Sequence, residues 1–321
     1  MSGAMPVAEA RRPAADRMPV GNAPVSYGVD EVVKDDAWMP TGEQVLDMIA
    51  EGGYRGTELG PPGFLGTADE LRARLTERKL ALIGSFLPLR FSEAQYAEED
   101  RAWLRDKLTL IRDGAPEGSR PFAILCDGFD QPLRMELSGR IQDHPEAWLP
   151  DARFPVLMDN LHRAAELARS MGFDVVLHPH AGTFIETADE VTRVMDAMDL
   201  SLLGLCLDTG HLRYGGADPA HLVRQYRGHI RHVHVKDARM QVIADCRRDD
   251  VGLPVALARG VFCELGQGDS GIPEVIDALD EVGYEGWLVV EQDRALTMAD
   301  TLDSVFESNV RNREYLRGLG V

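Results

Sequence analysis

Basic residues are scarce in this chain. Lys and Arg total 34 against 53 Asp and Glu, for a formal net charge of −19. Such a balance repels a phosphate backbone, and no Lys/Arg run builds a local basic groove, which argues against nucleic acid as a partner. Long apolar runs are missing as well. No uninterrupted stretch approaches the roughly 20 residues that span a bilayer. The opening MSGAMPVAEARRPAADRMPVG lacks the continuous apolar centre of a signal peptide. Cysteines number four, at 126, 206, 246 and 263, with neither CxxC nor zinc-finger spacing. Cys126 and Cys206 sit in apolar runs and read as reduced core residues, whereas Cys246 and Cys263 lie in a polar stretch and read as surface thiols. A reducing cytoplasm is the expected compartment. Finally, no GxGxxG turn follows the first strand-like segment, so the fingerprint of a doubly wound dinucleotide-binding sheet is absent.

What remains is the composition of a globular protein, 44% hydrophobic and 27% charged over 321 residues, enough for one large barrel or two ordinary domains. Residues 1–20, rich in Ala, Pro and Arg and without periodicity, read as a flexible tail. From residue 21 to 321 strand and helix patterns alternate. The expected strands are PVSYGV (24–29), GTELG (56–60), LALIGSFLPL (80–89), PFAILCDG (121–128), then VVLHPH, LGLCLDTGH, IRHVHVKD and GWLVVEQD. Helical patterns lie between them, several opening on Thr or Asp with an acidic first turn and several stopping at Gly. Eight strands and eight helices in alternation predict a (β/α)8 TIM barrel in a single domain. Two connections exceed ordinary loop length, 129–153 after the fourth strand and 238–265 after the seventh. Both leave the face on which such barrels carry their chemistry. A lid or an oligomer contact is one reading, and surface decoration is the other.

Four of the apolar runs end on an imidazole or a carboxylate: His178, Asp208, His234 and Glu291. Strand C-termini of a parallel barrel share one face, so these four converge as candidate ligands of a divalent ion, Mn²⁺ first, then Co²⁺, Zn²⁺ or Mg²⁺. His178 and His180 share a strand face and either suits the first ligand. His178, nearer the strand core, is taken for the metal, and His180 for substrate or proton transfer. His232, His234 and Lys236 alternate onto one face. There His232 lies deeper and Lys236 is placed to meet a substrate oxygen or a developing oxyanion. His211, three residues after Asp208, is expected to face substrate, and Glu291 doubles as a candidate base. Glu58, Ser85 and Asp127 stand at the same rim as candidate substrate-binding groups, with structural hydrogen bonding as the alternative; Ser26 and Tyr27 share that status.

The motifs LDTGH, HVHVKD, GQGDSGI (266–272) and YEGWLVVEQD resemble those of the sugar phosphate isomerase/epimerase superfamily, the xylose-isomerase-like barrels, over residues 22–316. HPHAGT and AEGGYRGTELG look most like its inosose dehydratase branch. The resemblance implies one divalent metal held by Glu, Asp, His and Glu from strands five to eight, a pattern that falls on His178, Asp208, His234 and Glu291. His178 departs from it, standing where many relatives have Glu. Epimerisation uses two carboxylates on opposite sides of a carbon, and this chain keeps one, so the departure favours a lyase. The expected activity is therefore dehydration of a cyclic polyol ketone or keto-sugar by α-proton abstraction and β-elimination. A keto-sugar or inosose epimerase, a 3-keto-glycoside-cleaving subunit and a non-catalytic sugar-binding barrel stay open. So do a homo-oligomer and a pairing with a small partner subunit.

Overall fold

Threonine starts four of the helices. Thr41, Thr67, Thr187 and Thr301 each accept a hydrogen bond from the backbone N–H three residues on, and the side chain at that position reaches back to the threonine N–H. These reciprocal caps satisfy backbone groups that an unassisted helix end leaves unpaired. They open Gly42–Glu51, Ala68–Arg78, Ala188–Ala197 and Leu302–Gly318.

The computed structural model describes residues 13–29 and 38–321. Its strands are β1 (Val20–Asn22), β2 (Gly56–Glu58), β3 (Ala81–Leu89), β4 (Phe122–Asp127), β5 (Asp174–His178), β6 (Gly204–Asp208), β7 (Ile230–Val235), β8 (Asp237–Ala238), β9 (Phe262–Cys263) and β10 (Leu288–Val290). Eight of them close a parallel barrel in the order β1-β10-β7-β6-β5-β4-β3-β2. The (β/α)8 expectation holds. The first strand does not lie at 24–29: Pro24–Tyr27 is a 3-10 turn, and β1 sits upstream, paired with β10 and β2. Part of the expected tail is likewise ordered, since Ala14–Arg17 forms a helical turn with Arg17 buried. Residues 1–12 lie outside the described residues.

Alternation along each strand sorts side chains into two environments. The main core lies between strands and helices. Separate from it, Ala23, Ile83 and Val289 form one small cluster, and Ile124, Val176 and Cys206 another. These fill the lower barrel. A Cβ on Gly21 or Gly56 would stand 2.2 or 2.9 Å from Ile83, so both glycines make room for that side chain. Two residues further along the same strands, the same inward face carries Ser85, Cys126, His178, Asp208, His234 and Glu291.

The two long connections meet over the barrel mouth. The first folds into the helix Pro132–Leu137 and three 3-10 turns; the second into the helices Met240–Arg248 and Leu253–Ala258, closed off by the antiparallel pair β8–β9. Leu253 N–H donates to Ser138 Oγ at 2.8 Å, and Arg247 Nε–H to the Gly139 carbonyl at 2.7 Å. Beneath them Tyr214, Ile243, Cys246, Leu253, Val261 and Phe262 form an apolar cluster. Cys246 and Cys263, expected at the surface, are therefore buried. The reason is tertiary: the second connection is a packed cap and not a solvated loop.

Candidate metal centre

His178 Nε2 and His234 Nδ1 face each other at 3.0 Å, both side chains buried at the bottom of the barrel-mouth cavity. Asp208 Oδ2 lies 3.5 Å from the first and 3.6 Å from the second, and Glu291 Oε2 is 3.2 Å from His234 Nδ1. One atom from each of the four residues falls within 4.8 Å of all the others. The quartet expected from four separate strands is thus one constellation.

His234 shows how its donor atom is aimed. Its Nε2 meets Glu58 Oε1 at 2.9 Å, and His232 Nε2 meets the same oxygen at 2.8 Å. Burial raises the Glu58 pKa, but His234 and His232 more than offset it and hold the carboxyl well below its ordinary range. An ionised carboxylate only accepts, so both Nε2 atoms carry the hydrogen. His234 Nδ1 is the nitrogen that faces the quartet and would offer its lone pair to an ion there. This carboxylate–imidazole relay is the arrangement that orients metal-binding histidines. Glu58 borders the cavity as well, with its Oε1 already engaged by both imidazoles.

Asp208 supplies a second test of fit. Its Oδ1 accepts from Gly210 N–H and His211 N–H, both at 2.8 Å, whereas Oδ2 is buried without a hydrogen-bond partner. Around Oδ2 stand the Lys236 ammonium at 3.4 Å and the two imidazole nitrogens at 3.5 and 3.6 Å, all longer than a good hydrogen bond, so an ion among them would pair the oxygen more closely. Two imidazole nitrogens and two carboxylate oxygens in one pocket suit a divalent ion. The residues fit the group.

Lys236 closes the constellation on one side. Its Nζ lies 2.5 Å from Asp293 Oδ1, 2.9 Å from His211 Nε2, 3.1 Å from Glu291 Oε2 and 3.4 Å from Asp208 Oδ2. Burial pulls its pKa down, but Asp208, Asp293 and Glu291 together hold it well above the ordinary value, so the ammonium stays charged. The LDTGH motif builds its seat. Lys236 N–H donates to Thr209 Oγ1 at 2.8 Å, and Thr209 Oγ1 donates to the Lys236 carbonyl at 2.6 Å. A Cβ on Gly210 would meet Lys236 Cγ at 2.6 Å, so glycine there lets the lysine stem pass.

His180 and His211 stack with ring centroids 3.6 Å apart. Burial first, then the neighbouring cationic groups, hold both pKa values well below the ordinary histidine range, which keeps the imidazoles neutral. His180 Nδ1 lies 2.8 Å from the Ala181 carbonyl and donates to it, leaving Nε2 as the free lone pair. His180, but not His211, lines the adjoining cavity of about 420 Å³, together with Glu58, Ser85, Lys236, Glu291 and Asp293. Its outer wall is apolar, formed by Phe86, Phe129 and Trp103 with Met135, Leu253 and Leu257 from the cap. The two long connections therefore border the site.

Three expected rim residues behave differently. Asp127 does not line the cavity; by alternation it points away from the barrel axis, and its Oδ2 accepts from Phe184 N–H at 3.0 Å, holding the loop after β5. Ser26 Oγ accepts from Gln292 N–H, and the Tyr27 hydroxyl accepts from Asn22 Nδ2. All three make hydrogen bonds within the protein. Asp293, in contrast, was not singled out. The signal was present in VVEQD: Glu291 and Asp293 share the i, i+2 spacing that also pairs His178 with His180 and His234 with Lys236.

Residues 46–308 match the model of the xylose isomerase-like TIM barrel family, and the chain belongs to that family. Within it, the sequence is similar to the inosose dehydratase of Geobacillus kaustophilus (strain HTA426), 33% identical over 276 residues covering 86% of this chain and 87% of that protein. Among solved structures, L-ribulose 3-epimerase superposes with a TM-score of 0.65 at 18% identity, covering 94% of each chain. The IolI protein with a bound zinc atom superposes with a TM-score of 0.68 at 13% identity, covering 95% of this chain and 99% of that one. Those two likenesses show the shared barrel. The chain is an enzyme of the sugar isomerase/epimerase superfamily. No described helix is long and apolar enough to cross a membrane.

Proposed function

We propose that this enzyme is a divalent-metal-dependent lyase that removes water from a cyclic polyol ketone, with a keto-inositol as the first substrate to try and Mn²⁺ as the first ion. The observation that carries the reading is the His178–Asp208–His234–Glu291 cradle beside a neutral, cavity-facing His180. Similarity to an inosose dehydratase over most of both chains supports the substrate class, and the zinc in IolI supports a divalent ion. Histidine at 178 leaves the centre one carboxylate short of a two-base epimerase, which supports elimination.

Those four residues would hold the ion, and the chemistry it would supply there is Lewis-acid polarisation of the ketone. His180 Nε2, neutral and open to the cavity, takes the proton α to the carbonyl. The Lys236 ammonium, fixed by Asp293 and His211, offsets the negative charge that develops on the enolate oxygen. The proton then passes from His180 Nε2 to the β-hydroxyl oxygen, the C–O bond breaks, water leaves, and a carbon–carbon double bond conjugated with the carbonyl remains. The proton removed is the proton delivered, so the cycle needs no external acid or oxidant. Incubating the Mn²⁺-loaded protein with keto-inositols in D₂O tests this: an absorbing enone or dione is expected. A stereoisomer carrying deuterium at the α-carbon, with no loss of water, would instead make the enzyme an epimerase.

A further inference from the structure

Next to the metal quartet stands a second group with ligand chemistry. His180, His211 and Asp293 each offer one donor atom within 4.8 Å of the other two. His211 Nε2 and Asp293 Oδ2 are 3.3 Å apart. All three residues come from the ends of the strands that supply the quartet, two or three residues further along, so the two groups form successive layers of one funnel. Glu291 Oε2 lies at their boundary, 3.2 Å from His234 Nδ1 on one side and 3.1 Å from Lys236 Nζ on the other.

That boundary position is the one a carboxylate takes when it bridges two cations. Here the second cation is already present. The Lys236 ammonium reaches His211 at 2.9 Å and Asp293 at 2.5 Å, is 2% exposed, and borders the cavity. Its positive charge also lies 5.1 Å from the Phe262 ring, a cation–π contact contributed by the cap. A compact ammonium presents one full charge at a point, much as a metal ion does, but attached to the chain and unable to leave. The motif residues that seat it add to the case: Thr209 fixes the Lys236 backbone on both sides, and Gly210 leaves space for its stem. So much of the strand-six turn is given to placing one ammonium that the position it fills matters to the site.

We propose that Lys236 occupies the cation position of a second cradle made by His180, His211 and Asp293, with Glu291 shared, so that the chain holds one metal ion and one built-in cation. Removing the ammonium opens a second divalent-metal site. This rests on the metal quartet of the proposed function, but not on the reaction assigned to it.

The test counts ions. The purified full-length chain is stripped, saturated with Mn²⁺, desalted and analysed for metal per chain. Wild type is expected to retain one Mn²⁺ with the six-line spectrum of an isolated ion. Lys236→Met, which keeps an unbranched stem without the charge, is expected to retain two, with the multi-line spectrum of a coupled pair. Adding His180→Ala to that variant returns the count to one. A folded Lys236→Met chain that retains one ion overturns the proposal, and so does a wild-type chain that retains two. If Lys236→Met does not fold, the wild-type count and Asp293→Asn decide. In wild type carrying Asp293→Asn one ion is still expected, and its loss would make Asp293 a ligand of the quartet and overturn the arrangement. A wild-type chain that retains no ion overturns the quartet itself, a failure distinct from the others.

Discussion

Two layers of the barrel interior lie two residues apart on the same strands, and they have opposite characters. The lower layer is dry: Ile83, Val289, Ile124 and Val176, packed with glycines that yield to them. The upper one gathers His178, Asp208, His234 and Glu291, with Lys236 beside them. The same backbone positions both, so the fold alone does not decide which layer does chemistry. What differs is the balance of desolvation. The lower layer gains free energy from burial; the upper one is buried at a cost that only mutual pairing or a bound cation offsets. His232 marks the change, one step below His234 and tied to Glu58.

The largest expected effect is in the upper layer. Replacing His234 with Ala should remove bound metal and lower kcat by about 10³-fold or more, the several kcal/mol a catalytic ion supplies. Turnover by a metal-free variant would break the division. In the lower layer, Ile83→Ala should cost about 2–5 kcal/mol of stability, read by denaturant unfolding, with metal affinity unchanged. If metal binding weakened in proportion, the two layers would not be separable. Glu58 joins them. Glu58→Gln should weaken metal affinity about 10–100-fold, the usual effect of losing a group that orients a ligand, because an amide is a poorer acceptor for two imidazole N–H groups.

The upper layer was legible in the sequence because its residues interrupt apolar strands at a fixed place, where a period of two and the strand end leave few interpretations. His178, Asp208, His234 and Glu291 each announce themselves locally. Glu58 does not: its partners lie 174 and 176 positions away, and only barrel closure brings β2 to β7 through the interior. Asp293 had the right spacing, but its role depends on where Lys236 points. β1 was hidden for another reason. Val20–Asn22 has no apolar run, and backbone pairing on both edges makes it a strand, while the more hydrophobic PVSYGV turns away at Pro24. The cap was recognisable as excess length, but its packing, and with it the burial of Cys246, is a tertiary property.

The smallest effect sharpens the comparison between two aspartates, each closing its strand. Burial raises both pKa values. At Asp208 the Lys236 ammonium reverses this and holds the carboxyl well below its ordinary range. At Asp127 the Phe184 N–H is too weak a counterweight, and the carboxyl is pushed up to about 7. A carboxyl with a raised folded-state pKa binds more protons folded than unfolded between about 4 and 7. Its contribution is fully present below the unfolded value and is lost as pH rises through 7. Asp208 has the opposite sign and acts only below about 4, so the two windows do not overlap. Histidines held neutral in the fold take up protons on unfolding within the Asp127 window, which makes a difference measurement necessary. Asp127→Asn removes the Asp127 contribution and leaves the others, so the variant should gain on wild type by about 1.4 kcal/mol per pH unit between pH 5 and 7. Chemical denaturation of both proteins at several pH values reads this slope. A difference independent of pH would mean that Asp127 is as well compensated as Asp208, and that a cation is not what separates them.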